Sequence, residues 1–280
     1  MSAEGLFGPG SATWRVNGET AMILGGGRAL ILQMAHPHIG AAVDQHSRYR
    51  DDRWGRLRHT LATVGEILFG DTETATRSAE RMRRLHARFL GMVPEGRAAG
   101  QAYDATDPAL VRWVWATLVD TSLLVYGRYV RTLTPCEVER YYSEQRRFAE
   151  ICGVPPDRCP ASYASFRTYF DTTAATMLEA TPAARDAATL VMNPLRLARV
   201  GAPVAALTGL PTAALLPARL RADLGVPWST TRELLFKGVT GTVRTARPAL
   251  PVRLRRVRSA RLADERIRRA AAEEHVRAHS

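Results

Sequence analysis

DPALVRWVWATLVDTSLLVYGRYV, residues 107–130, decides the fold class. Asp107 is a good acceptor for free helix amides, and Pro108 suits the first helical position, where its missing N–H costs nothing. From Ala109 to Val130 the stretch is apolar on most sides, the pattern of a helix enclosed by other helices. Arg112, Asp120 and Arg128 sit inside it and argue against a membrane span. A helix enclosed on most sides needs several partners, and the flanking sequence supplies them.

Upstream, helical spacing predicts Glu19 to Met34, interrupted by Gly25-Gly26-Gly27, where a backbone can approach a neighbour or ligand closely. His36-Pro37 opens a second helix that runs to about His46. Asp51-Asp52 caps a third, Trp54 to Phe69, which Gly70 ends, and Thr72 to Leu90 forms a fourth, closed by Gly91. Downstream, Thr134 to Ile151 opens with Thr134-Pro135 and places Glu137 three residues after Thr134, a capping box. Further helices fall around Ser162–Leu178, Pro182–Met192, Leu195–Leu207, Thr230–Arg244 and Ser259–Ala278, and frequent prolines cut the last third into short pieces. No hairpin signature, alternating strand run or internal repeat appears. The expectation is one all-α domain over residues 1–250, followed by a basic helical tail over residues 251–280.

Composition agrees with a folded chain. At 280 residues with 46% hydrophobic and 24% charged side chains, it can bury a large core and is not disordered. Three cysteines, Cys136, Cys152 and Cys159, make neither a disulfide framework nor a four-cysteine zinc site. The net charge of +12 is almost all arginine, since Lys237 is the only lysine. Its densest run, Arg253 to Arg269, is followed and interleaved by Asp264, Glu265, Glu273 and Glu274, which suits a solvated, salt-bridged helix or contact with an anionic membrane. No recognised nucleic-acid module accompanies the charge. The opening Met1 to Gly5 has no basic stretch leading into an apolar run, so a cytoplasmic location is expected.

Five of the seven histidines lie between positions 36 and 86. No HExxH or paired ExxH motif accompanies them, which excludes the ligand sets of zinc proteases and di-iron carboxylate proteins. His36 and His38 flank Pro37 and read as capping or hydrogen-bonding residues. His86 falls in a stripe with Met82, Leu85 and Phe89; an inward imidazole there needs a carbonyl, a carboxylate or an iron as partner. In the third helix Leu57, Leu61, Val64 and Leu68 form the expected core face. Arg56, His59, Thr60 and Thr63 form a polar stripe beside it, either a solvent face or the wall of a pocket.

Several blocks, in order, carry a resemblance: Gly18-Glu19 through Gly25-Gly26-Gly27-Arg28 to Ala35-His36-Pro37, then His46-Ser47, Gly55 to Thr60, Phe69-Gly70 and Arg83 to Gly91. Tyr103, Asp107-Pro108, Trp113-Val114, Ala116 to Asp120, Tyr141-Tyr142, Gly153-Val154-Pro155 and the region Leu215 to Trp228 continue it. Together they resemble the DUF2236 family, which includes latex-clearing proteins and MpaB-type oxygenases, over about Gly8 to Arg256. That resemblance implies a globin-like arrangement of ten or more helices around haem b, with His86 as the iron ligand. It implies Arg56, His59 and Thr60 as the catalytic residues on the opposite side of the haem, and Gly26, Arg56 and His59 beside the cofactor. Latex-clearing members carry lysine where this chain has His59, so the imidazole is expected as a base or proton donor, or as a second ligand. Many members carry histidine where Trp115 stands. The implied activity is dioxygen-dependent oxidation or cleavage of a carbon–carbon double bond in an apolar, isoprenoid-like small molecule, with an unidentified electron donor. The alternatives are a haem-binding sensor or carrier and a haem-free interaction module.

Overall fold

A computed structural model of the chain describes residues 3–46, 53–193 and 208–278, leaving aside the side chains of residues 53–58 and 278. The fold is all-α. A short α1 (Ala12–Asn17) and a 3-10 turn (Thr20–Gly25) lead into α2 (Gly26–Met34) and α3 (Pro37–His46). Then α4 (Arg53–Phe69) and α5 (Thr72–His86) form an antiparallel pair. The long α6 (Pro108–Tyr129), α7 (Pro135–Ile151), α8 (Tyr163–Thr176) and α9 (Pro182–Met192) follow. The chain finishes with α10 (Gly209–Leu215), α11 (Ala218–Asp223), α12 (Thr230–Ala246), α13 (Val252–Arg255) and α14 (Arg258–Ala278).

The centre is α6, as its sequence predicts. Asp107 accepts from the Ala109 amide with Pro108 in the first turn, and Trp113, Trp115, Val119, Val125 and Tyr129 are buried. By length and composition this helix could cross a membrane; here 56% of its apolar window lies inside the fold. The Trp113 indole donates to the Leu32 carbonyl at 3.1 Å and stacks on Phe170. Trp115 donates to the Gln145 carbonyl at 2.9 Å and packs on Tyr142 and Phe166. Each buried indole N–H therefore has its acceptor, which large aromatic residues need to be accommodated in a core. The glycine run brings α2 and its preceding turn against these neighbours. A Cβ on Gly25 would collide with Thr121 and Val125, and one on Gly27 with Thr212 and Val191.

Several features depart from the expected elements. The segment Glu19 to Met34 becomes α-helical only from Gly26, after the 3-10 turn, and the short α1, α10 and α11 were not expected. The helix at Thr72 ends at His86, four residues before Leu90. Leu90–Met92 (β1) instead pairs antiparallel with Ala102–Asp104 (β2), Gly91 opposite Tyr103. Gly91 stands where the Tyr103 hydroxyl leaves no room for a Cβ. Strands of three residues are too short to show alternation, so local sequence gives no sign of them. The expected helix Leu195 to Leu207 and the Asp51-Asp52 cap lie outside the described residues.

The basic tail packs on the rest of the chain. Ala260 and Ala263 of α14 are buried, and α14 lies against α4, with Ser259 beside Gly65. The Val257 amide donates to the Gly18 carbonyl at 2.8 Å, the Trp14 indole to Asp264 at 3.0 Å, and Arg266 to the Phe69 carbonyl at 2.7 Å.

Candidate functional site

His86 is half-buried at the C-terminal end of α5. The expected stripe of Met82, Leu85 and Phe89 does not form: Leu85 is 40% exposed, and Phe89 lies beyond the helix in the turn to β1. The reason is the early end of α5, which removes Phe89 from the helical spacing. The imidazole instead joins an aromatic series. His86 lies 6.2 Å from the Phe89 ring, and Phe89 stacks on His46 at 5.2 Å.

The far end of that series is anchored firmly. His46 donates from Nε2 to the Leu90 carbonyl at 2.9 Å, just after the turn. Beside it, Gln45 donates to the Met92 carbonyl and accepts from the Tyr103 hydroxyl at 2.7 Å. The end of α3 thus holds the strand that follows His86. Sequence reasoning missed Gln45 as part of this site; its signal was only adjacency to His46.

On α4, Glu66 accepts from Ser78 and Arg81 of α5, which fixes the antiparallel register. Continued along both helices, that register brings His59 and Thr60 level with the end of α5 at His86. Both side chains are exposed. The side chain of Arg56 lies outside the described atoms, though residue 56 belongs to α4. The expected core face of α4 is corrected by its second half. Leu61 is 57% exposed, while Thr63, assigned to the polar stripe, is buried with Ile67 and Leu68. Packing by α5 and α14 covers the C-terminal half of α4, and the buried face follows those neighbours. The described part of the Leu57, Leu61, Val64 and Leu68 row therefore does not form one continuous core stripe.

Gly26 is exposed, with open space where a Cβ would stand; close packing falls to Gly25 and Gly27. Trp115 faces α7 and α8, filling core space with its N–H satisfied. Two buried polar groups stand out elsewhere. Arg28 is held by Asp120 at 2.6 Å, by Thr121 at 2.6 Å and by the Leu215 carbonyl at 2.7 Å, and Arg167 closes on the other oxygen of Asp120. Burial lowers the affinity of Arg28 for its proton, and the Asp120 carboxylate opposes that shift. His36 is 6% exposed with its Nδ1 unpartnered and the His38 ring 5.5 Å away. Burial, helped by His38, pushes its pKa down to about 4 against a weaker pull from Asp107.

Among the described residues, no group of three or more His, Cys, Asp or Glu side chains is arranged to hold a free metal ion. Haem iron asks less of a protein, because the porphyrin supplies four donors and the chain only one or two. At this end of the chain's α4–α5 pair His86 offers one half-buried imidazole, with Leu61, Leu85, Leu90 and Met92 exposed on the flanking segments.

The geometry defines an all-α protein, with histidines on the paired helices α4 and α5. The family described as "ER-bound oxygenase mpaB/B'/Rubber oxygenase, catalytic domain" matches residues 14–245, and the chain belongs to it. Neither a curated protein nor a solved structure shows a match.

Proposed function

We propose that the protein is a haem b-dependent oxygenase that uses dioxygen to oxidise or cleave a carbon–carbon double bond in an apolar, isoprenoid-like molecule. Membership of an oxygenase family over residues 14–245 is the observation that carries this reading. The half-buried imidazole of His86, level with His59 and Thr60, supports it. When bound, haem supplies the dioxygen chemistry, and the chain supplies ligation, polarity and access.

In this reading His86 holds the iron. Arg56 and Thr60, four positions apart in the sequence, supply a cation and a hydroxyl to negative charge developing on the reacting oxygen. His59, in the same turn, moves a proton, a task that histidine performs best near neutral pH. The exposed leucines and Met92 offer apolar surface to the cofactor and to a hydrocarbon chain.

The test is turnover of a series of polyenes by haem-loaded protein under isotopically labelled dioxygen. Labelled carbonyl or hydroxyl products are expected, and Arg56→Ala should slow their formation by about a hundredfold. No oxygen uptake with any polyene contradicts the reading. The level placement of His59 and His86 favours one other reading, a haem carrier or sensor closed by two imidazoles. In that case carbon monoxide fails to bind the reduced protein and binds readily in His59→Ala.

A further inference from the structure

Among the described residues, one face of α12 stays uncovered. Phe236 anchors the helix to the core, edge-on to Tyr129 and Trp228. Away from it run Thr231, Leu234, Leu235, Gly238, Val239 and Thr242, lining a shallow surface groove with Val243. Leu234 is 63% exposed, and Leu235 and Val239 are exposed with it. At helical spacing these six positions span an arc of about 140°, bordered by Lys237 on one side and Arg232 on the other. The chain that follows repeats the pattern: Leu250, Val252 and Leu254 are exposed and alternate with Arg253 and Arg255.

Between Ser229 and Arg258 there are eight cationic side chains and one carboxylate, Glu233. Glu233 is already paired with Lys237 at 3.4 Å. Some of the cations serve the fold: Arg247 is bound to Glu19, and Arg256 pairs with Asp264. The excess still makes the surface strongly positive, so two copies facing each other through it would repel. An anionic lipid surface satisfies both halves of the pattern, taking leucines into its boundary and arginines among its headgroups.

We propose that α12 and the segment 250–255 form a docking face for an anionic bilayer, lying on the membrane without crossing it. The proposal does not rest on the oxygenase reading.

The full chain is sedimented with phosphatidylcholine vesicles, with and without roughly a third phosphatidylserine. Binding is expected to the anionic vesicles and to fall as salt rises. Leu234→Ser with Leu235→Ser should weaken it at least about tenfold, and Arg253→Glu should weaken it as well. Several binding results overturn the proposal. These are no binding at low salt, equal binding to neutral vesicles, unchanged binding by the variants, and a wild-type dimer that the leucine variant dissociates. Melting of each variant is measured in parallel, because Leu234, Leu235 and Arg253 are exposed and their replacement should leave Tm unchanged. A marked fall in Tm for the leucine variant would show that the chain itself covers this face, and would equally overturn it.

Discussion

Asp120 sits between two arginines that come from distant parts of the chain. Arg28 is nearly inaccessible and Arg167 partly exposed, so the two sides of the pair differ in what they lose. Asp120→Ala leaves Arg28 buried without its counter-charge and should cost about 3–5 kcal/mol, measured by denaturant unfolding. Arg167→Ala, with solvent at hand, should cost about 1 kcal/mol or less. His36 makes a pH prediction. Its folded pKa of about 4 lies below the ordinary histidine value, so between those values the unfolded chain binds a proton that the folded chain does not. Stability therefore rises with pH across that window and is lost as pH falls through it, by up to about 3 kcal/mol. Unfolding midpoints at several pH values should show this acid loss reduced in His36→Asn; an equal loss would assign it elsewhere. Sequence reading treated His36 as a satisfied residue, because burial beside His38 depends on α2, α3 and α9 coming together. The Arg28–Asp120 pair was equally hidden, since its partners are 92 positions apart.

Elements with strong punctuation follow their sequence closely. The capping box of α7 forms with both of its hydrogen bonds, and α6 starts at Pro108 under its Asp107 cap. Thr134→Ala should remove about 1 kcal/mol, read as a lower unfolding midpoint. Where contacts far along the chain decide an end, local spacing misleads. The helix from Thr72 gives way to β1 because Gly91 meets Tyr103 and Gln45 fastens to the Met92 carbonyl. Gln45→Ala should therefore loosen the strand after His86 more than it lowers global stability. Amide exchange at 90–92 would reveal this as faster exchange with little change in the slowest core amides. The contact of α14 with α4 was likewise invisible in a segment read by its arginines, since Ala260 and Ala263 give no signal among the arginines and carboxylates around them.

For the whole molecule, all-α class and family were legible in the sequence, because they depend on many helical segments and ordered blocks rather than on any one residue. The candidate site was legible in part. His59 and Thr60 lie on α4 and His86 ends α5, as their helical segments predict, whereas Gly26 faces open space and Trp115 serves the core between α6, α7 and α8. The central claim is that His86 holds haem b. Its most direct test is the absorption spectrum and pyridine haemochrome content of protein expressed with a haem precursor, compared with His86→Ala of matched helical content. Near-stoichiometric haem b with a Soret band in the wild type, lost in the variant, is the predicted result. A colourless wild type under every loading condition, or a variant that keeps its haem with the same spectrum, would contradict it.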